Sequence, residues 1–141
     1  RLAMRLLPAM RERRWGRIIT VGSSGMVQPL PNMVLSNTLR GAIVGWNKTL
    51  AAEVASDGVT CNILAPGAIE TDRLKDTAGF EAKRTGETIE QVLARRAASI
   101  PAGRLGTPAE FGAVAAFLAS VQAAYITGSI VRCDGGIIRN P

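Results

Sequence analysis

The sequence predicts an α/β fold in which helices cover a parallel sheet. Two short apolar runs rich in β-branched residues, 17–22 and 59–65, flank a long stretch whose apolar residues recur at helical spacing. A third such run, residues 129–133, follows a second helical stretch. Strands joined by crossover helices lie parallel in one sheet. Three strands are about half of a doubly wound sheet, so we expect the other half of the fold to be absent from this chain.

The bulk composition is that of a globular domain. The chain has 141 residues, of which 47% are hydrophobic and 20% are charged. It contains no histidine, which excludes a histidine-based catalytic triad and a histidine-ligated metal within these residues. Cys61 and Cys133 stand in apolar runs without a CxxC motif. We therefore predict two buried small hydrophobic side chains and no metal site.

Positive charge is concentrated at the beginning of the chain. The formal net charge is +6, and residues 1–17 carry six arginines against Glu12 alone. A basic end can bind nucleic acid or another acidic partner, but it can also be a solvated helix end. No nucleic-acid-binding motif and no interleaved aromatic residues accompany this charge, so the solvated helix end is the favoured interpretation.

The first helix and the first strand follow directly from the pattern of residues. Four apolar residues at helical spacing predict the end of an amphipathic helix: Leu2, Leu6, Leu7 and Met10. Residues 17–22 then read as a buried strand. Residues 26–35 contain Pro29 and Pro31 and predict a loop. The chain begins at Arg1 in what reads as mid-helix, so we expect a segment of a longer polypeptide.

The second helix is predicted over residues 37–56. Its apolar face is formed by Leu39, Ile43, Trp46, Leu50 and Val54. Gly41 and Gly45 form a GxxxG pattern, which in a helix with charged residues indicates close packing against another soluble helix. The sequence Asp57-Gly58 favours a left-handed end to this helix.

The remainder of the chain predicts a less regular segment followed by a capped helix. Residues 68–100 are polar and read as irregular, with one short helix near residues 87–98. The motif Thr107-Pro108-Ala109-Glu110 is a capping box, predicting a helix that continues to about residue 124. Residues 111–131 carry no charge, but the cap and the Thr127-Gly128 turn divide them. We therefore predict a packed helix and a strand rather than a membrane span.

Several short motifs, in their order and spacing, resemble the C-terminal half of the short-chain dehydrogenase/reductase family. Residues 16–24 (GRIITVGSS) resemble the strand that ends in the family's catalytic serine. Residues 36–42 (SNTLRGA) stand where the family has Tyr-x-x-x-Lys-Ala-Ala. Residues 57–62 (DGVTCN) and 66–71 (PGAIET) resemble the strand and the loop beside the nicotinamide. Thr127-Gly128 and residues 134–136 (DGG) match the final strand and its exit.

The resemblance implies a fold, an activity and a set of partners. The fold would be the C-terminal part of a Rossmann-like doubly wound sheet, with residues 1–141 as a single partial domain. The activity would be that of an oxidoreductase that uses NADP or NAD on a ketone or secondary alcohol, as 3-oxoacyl reductases do. The partners would be a small carbonyl substrate and further copies of the chain, as a homodimer or homotetramer. The location would be cytoplasmic, with neither a nucleic-acid nor a membrane partner.

The resemblance also assigns candidate site residues. Ser23 matches the catalytic serine, and Ser36 and Arg40 complete the catalytic candidates by their position in the family motif. Arg40 is also a cofactor-binding candidate, as are the matching positions of the nicotinamide loop: Pro66, Gly67, Ile69 and Thr71. The GxxxGxG fingerprint that cradles a pyrophosphate does not occur in this sequence.

The catalytic motif departs from the family pattern at its two central positions. Ser36 replaces the family's tyrosine and Arg40 replaces its lysine. An aliphatic hydroxyl is a weaker acid than a phenol, and a guanidinium stays charged and cannot pass on a proton. An enzyme with an atypical active site is the favoured interpretation. A catalytically impaired subunit of the same fold, which binds a nucleotide or acts as a scaffold, is the alternative.

Overall fold

A computed structural model describes residues 1–139 and contains one three-stranded parallel sheet. The strands are β1 (Gly16–Val21), β2 (Val59–Pro66) and β3 (Ile130–Cys133), in the spatial order β1-β2-β3. The helices are α1 (Leu2–Glu12), α2 (Val34–Val54), α3 (Asp72–Thr85), α4 (Ile89–Ala98) and α5 (Pro108–Ala119). Short 3₁₀ turns follow β1 at Ser24–Met26 and follow α2 at Ala55–Asp57. The three predicted strands and their parallel arrangement are confirmed.

The central strand β2 holds the fold together. It pairs with β1 and β3 along its length, from Gly16 opposite Val59 to Pro66 opposite Cys133. On one face, β2 packs with α1 and α2 in a cluster of buried side chains: Leu7, Leu50, Ala51, Val54, Val59 and Cys61. On the other face, Leu64 packs with Leu118 of α5 and with Ala123. The prediction of a fully buried strand is confirmed for β2.

The first strand is less buried than its sequence predicts. Most residues of β1 are half-exposed, and Val21 at its end is 64% exposed. The reason is topological: β1 lies at the edge of the sheet, and no strand of residues 1–139 pairs with its outer side. An apolar edge strand of this kind is a surface that a further strand can extend.

Helix α2 is buried only in its C-terminal half. It begins at Val34 rather than at residue 37, and its buried side chains are Asn47, Leu50, Ala51 and Val54. Leu39 and Trp46, predicted on the buried face, are 58% and 40% exposed. A Cβ at Gly41 or Gly45 would meet no atom within 4 Å, so the predicted packing partner of this pair is not found among residues 1–139. Gly58, at φ 73°, ends the segment in the left-handed conformation, as predicted.

The prediction of an irregular segment over residues 68–100 is wrong, because α3 is a helix of 14 residues. Thr71 caps its beginning and Gly86, at φ 77°, ends it. Its buried side chains are only alanines, Ala78 and Ala82, which pack against Val92 of α4. Alanine gives a weak apolar stripe, so helical periodicity is hard to recognise here. The short helix predicted near residues 87–98 is confirmed as α4.

The capping box predicted for the last helix is present, but that helix is shorter than expected. The Thr107 side chain accepts a hydrogen bond from the backbone N–H of Glu110, and the Glu110 carboxylate accepts one from the backbone N–H of Thr107. The helix ends at Ala119, where Ser120 adopts an extended backbone conformation. No helix within residues 1–139 is long and apolar enough to cross a membrane.

Candidate active site

A cleft of about 390 Å³ opens at the C-terminal ends of β1 and β2. In open parallel sheets, the crevice outside the carboxyl ends of the strands is the usual ligand site. The cleft is lined by the segments that follow the strands, by α2 and by the α3–α4 hairpin: Gly22, Ser23, Ser24, Leu30, Arg40, Pro66, Gly67, Ala68, Leu74, Arg96, Ser99, Ile100 and Ile137. We refer to this space as the cleft.

Ser23 is placed in the cleft by the end of β1. The backbone N–H of Gly22 still bonds to Leu64, at 2.8 Å, and a Cβ on Gly22 would lie 2.7 Å from Ile63. Glycine therefore lets the chain turn closely over β2 immediately before Ser23. The Ser23 Oγ accepts a hydrogen bond from the backbone N–H of Gly25 at 3.1 Å. Its own proton is left to donate to a group in the cleft.

Ser36 and Arg40 lie one helical turn apart in the first half of α2 and bond to each other. Arg40 Nε donates to Ser36 Oγ at 3.0 Å. Arg40 Nη1 donates to the backbone carbonyl of Gly22 at 2.7 Å, which ties α2 to the end of β1. Arg40 lines the cleft, whereas Ser36 is connected to it through Arg40.

Pro66 and Gly67 form the wall of the cleft at the end of β2. The backbone N–H of Gly67 donates to Cys133 at 3.0 Å. A Cβ on Gly67 would lie 2.7 Å from the Cα of Asp134, so only glycine fits where the two backbones approach. The Asp134 carboxylate accepts from the backbone N–H of Gly136 at 2.9 Å. The predicted Pro-Gly and Asp-Gly-Gly motifs thus lie against each other.

Two predicted cofactor-binding residues lie outside the cleft. Ile69 pairs with Gly106 in a short parallel bridge and lines a separate cavity of about 120 Å³. Thr71 caps α3 by accepting a hydrogen bond from the backbone N–H of Leu74 at 3.3 Å. The structure therefore brings together Ser23, Arg40, Pro66 and Gly67 directly.

The α3–α4 hairpin contributes residues to the cleft that the sequence did not single out. Leu74 comes from α3, Arg96 from α4, and Ser99 and Ile100 from the segment after α4. The one sequence signal for these residues is their position after the Pro-Gly loop, in a segment predicted to be irregular apart from one short helix. Because α3 was not predicted, the side chains that face the cleft could not be chosen.

An ion-pair network fixes the hairpin. Glu81 bonds to Arg95 and to Arg96, each at 2.7 Å, and Arg95 also bonds to Glu87 at 2.8 Å. Hydrogen bonds from Arg95 and Arg96 lower the pKa of Glu81 to about 2. Arg96 also donates to the Thr77 hydroxyl at 3.0 Å. The charge that Arg96 presents to the cleft is thus balanced by its partner Glu81.

The cysteines are not part of this site. Cys61 of β2 is fully buried against α1 and α2, and burial raises the pKa of its thiol to about 11. Cys133 lines the smaller cavity, and burial is also the main cause that raises the pKa of its thiol. Neither thiol has the lowered pKa of a nucleophile. No group of three or more histidine, cysteine or acidic side chains in the described part of the chain could hold a metal ion.

The same fold occurs in known proteins. A family model described as enoyl-(acyl carrier protein) reductase matches residues 1–138. The chain belongs to the short-chain dehydrogenase/reductase family. The resemblance drawn from the sequence motifs is confirmed at the level of the family, and the sheet is confirmed as part of a Rossmann-like fold.

Members of this family match almost all of the chain, but the chain spans about half of their length. The 3-oxoacyl-(acyl-carrier-protein) reductase FabG of Vibrio cholerae is 44% identical over 97% of this chain and 52% of its own. A protein of Xanthobacter autotrophicus named inactive 2-(S)-hydroxypropyl-CoM dehydrogenase 2 is 35% identical. The match covers 93% of this chain and 55% of that protein. The structure of the L-sorbose reductase of Gluconobacter frateurii, solved with NADPH and L-sorbose, superposes on this chain with a TM-score of 0.92 and is 35% identical in sequence. The superposition covers 99% of this chain and 54% of the reductase.

Proposed function

We propose that this chain forms the C-terminal half of an NAD(P)-dependent oxidoreductase that transfers hydride between a nicotinamide and a ketone or secondary alcohol. The observation that carries this proposal is the meeting of Ser23, Arg40, Pro66 and Gly67 in one cleft at the strand ends. The relatives include 3-oxoacyl reductases, which favours a small 3-oxoacyl-like carbonyl compound as the substrate. The dinucleotide-binding half would lie beside the open edge of β1.

The cleft fits the nicotinamide end of such a cofactor. Pro66 and Gly67 line the cleft at the end of β2, and Arg40 offers donors for ribose hydroxyls. When bound, the nicotinamide supplies or accepts the hydride. Ser23 has a free hydroxyl proton and can stabilise the carbonyl oxygen as negative charge develops on it. The structure does not assign Ile69 and Thr71 to the cleft, so their cofactor contacts remain a hypothesis.

The proton step is where this site differs from the family pattern. Ser36 accepts the Nε–H of Arg40 and keeps a single proton of its own to donate. An aliphatic hydroxyl is too weak an acid to replace a phenol, so Ser23, a water molecule or a substrate group would relay the proton. The loss of a well-placed general acid typically slows a reaction by about 10²–10⁴-fold. Slow turnover is therefore expected.

A catalytically impaired subunit is the second candidate. It is favoured by the pairing of Ser36 with Arg40 and by a relative whose name describes it as inactive. Such a subunit would retain a nucleotide or pair with an active subunit. In either case we infer a homodimer or homotetramer, since the apolar side chains Val34, Leu35 and Leu39 of α2 are more than half exposed.

Two measurements on the full-length protein separate these candidates. Titration with NADPH and with NADH, followed by nicotinamide fluorescence, tests whether the cofactor binds and which form is preferred. Oxidation of NADPH with a simple β-ketoester tests turnover. Binding with slow turnover is the expected result. Binding without turnover would favour the impaired subunit, and no binding of either cofactor would contradict both candidates.

A further inference from the structure

The irregular segment that joins the turn after β1 to helix α2 is held by the side chain of Asn37, in the first turn of α2. Asn37 Nδ2 donates to the backbone carbonyl of Leu30 at 2.9 Å, and Asn37 Oδ1 accepts the backbone N–H of Leu30 at 3.3 Å. Because Pro29 and Pro31 have no N–H, Leu30 supplies the only backbone donor of residues 29–31. We call this pair of hydrogen bonds the Asn37–Leu30 clamp.

Both partners of the clamp lie against the turn that orients Ser23. A Cβ on Gly25 would lie 3.4 Å from Asn37 Oδ1 and 3.5 Å from Leu30 Cγ, so the two side chains lie directly over Gly25. Gly25 is buried, and its backbone N–H donates to Ser23 Oγ at 3.1 Å. The clamp therefore limits the movement of this turn and, with it, the direction of the Ser23 hydroxyl. Leu30 itself lines the cleft.

Helix α2 holds the segment around Ser23 at two points. Arg40 bonds to the carbonyl of Gly22 on one side of Ser23, and Asn37 bonds to Leu30 on the other. Leu30 is 38% exposed, so apolar burial alone does little to fix it. A hydroxyl that stabilises developing charge acts best when its direction is set before the reaction begins. All of these contacts are made between neighbouring segments of this chain and need no ligand in the cleft.

We propose that Asn37 is a positioning residue, which fixes the turn carrying Ser23 and the wall of the cleft formed by Leu30. Asn37 does not line the cleft, so it acts through Leu30 and Gly25 rather than by contact with a ligand. For its effect on turnover, this inference rests on the proposed oxidoreductase function. Its effect on the turn can be measured without any reaction.

Amide hydrogen exchange in the full-length protein tests the clamp. In Asn37→Ala, the N–H groups of Leu30 and Gly25 should exchange at least about tenfold faster than in the wild type, because two hydrogen bonds are lost. The control Thr38→Ala removes a bond to the carbonyl of Val34 within α2 and should leave both rates unchanged. Asn37→Asp keeps the shape and the acceptor but loses the donor. Its protection, relative to the wild type, should recover as the pH falls towards 4, because a protonated carboxyl can again donate to the Leu30 carbonyl.

Reduction of a β-ketoester by NADPH tests the consequence for turnover. In Asn37→Ala, kcat/KM for the ketone should fall about three- to tenfold, since the Ser23 hydroxyl is less well directed. The Kd of NADPH should stay within about twofold of the wild-type value, because the clamp does not hold Arg40 or the Pro-Gly wall. Leu30→Ala should cause a similar loss in kcat/KM while the amide at position 30 stays protected, because this variant keeps the backbone bonds and removes only the side chain over Gly25.

The other outcomes separate this inference from the proposed function. Unchanged exchange at Leu30 and Gly25 in a folded Asn37→Ala would overturn the inference. Faster exchange with an unchanged kcat/KM for the ketone would also overturn it, and so would an equal loss of NADPH affinity, which indicates general loosening of the site. If the wild type reduces no ketone, the proposed function fails, and the exchange rate of Gly25 alone decides whether Asn37 positions the Ser23 turn.

Discussion

The sheet region and the α3–α4 hairpin are two parts of this molecule that are stabilised in different ways. The residues of β2 from Val59 to Ala65 are all buried, and apolar side chains from helices pack against both of its faces. The hairpin has a separate small core built on two alanines and Val92, and ion pairs join its two helices. The cleft lies between these two parts. The sheet region is thus stabilised by apolar packing on both faces, whereas the stability of the hairpin depends in large part on charge.

The largest expected effect is the loss of packing under the central strand. Ile63 of β2 is fully buried and lies beneath Gly22, so Ile63→Ala should leave a cavity at the floor of the site. We expect the free energy of unfolding to fall by about 2–5 kcal/mol, as measured by denaturant titration. Val92→Ala in the hairpin is the matched change. It should mainly increase hydrogen exchange in α3 and α4, and equal global effects of both changes would show that the two parts are one cooperative unit.

The next effect tests the close approach of backbones at the cleft wall. In Gly67→Ala, the new methyl group would lie 2.7 Å from the Cα of Asp134, which forces the two segments apart. Overpacking of this kind costs about 1–3 kcal/mol, and the shift should also weaken cofactor binding. Gly112→Ala is the control, because its Cβ on α5 meets no atom within 4 Å. It should raise the melting temperature slightly, since alanine is favoured over glycine in a helix by about 0.5–1 kcal/mol.

The smallest effect is the dependence of the hairpin on pH. Hydrogen bonds from Arg95 and Arg96 hold the pKa of Glu81 at about 2, below its usual value of 4.5. Because this pKa is lower in the folded state than in the unfolded state, the ionised Glu81 stabilises the folded hairpin above about pH 4.5. This stabilisation is lost as the pH falls towards 2 and the carboxylate is protonated. Hydrogen exchange of α3 and α4, corrected for its intrinsic pH dependence, should therefore show loss of protection over this range.

The variant Glu81→Gln tests the same claim without titration. Its hairpin should be less protected at neutral pH and should respond less to acid than the wild type. Protection of the β2 amides should be similar in both proteins above pH 4.5. A hairpin in Glu81→Gln that keeps the full protection and the full acid response of the wild type would contradict the role of the ion pairs.

The part of the fold that the sequence predicts is the part with strong apolar contrast. The runs of β2 and β3, the Asp-Gly stop after α2 and the capping box of α5 each have a local physical signature. Helix α3 lacks one, because alanines and ion pairs replace large apolar residues on its packed side. The exposure of Leu39 and Trp46 could not be predicted either, since an apolar pattern shows which residues share a helix face and not whether another element covers that face.

The candidate site was predicted in part for a similar reason. Ser23, Arg40, Pro66 and Gly67 follow strands or lie on a regular helix, so their spacing along the chain determines their positions in space. Ile69 and Thr71 follow in the loop, where the bridge to Gly106 and the cap of α3 decide their direction. These two interactions involve distant residues or an unpredicted helix, and neither could be deduced from the family motif alone.

The central claim is that Ser36 and Arg40 occupy the positions of a proton-donating pair beside a bound nicotinamide. Ser36→Tyr combined with Arg40→Lys tests it most directly, through the rate of NADPH oxidation with a β-ketoester in the full-length protein. The double variant should react about 10²–10⁴-fold faster than the wild type, because a phenol beside an ammonium supplies general acid catalysis. A folded double variant that binds NADPH and shows no gain in rate would contradict the account.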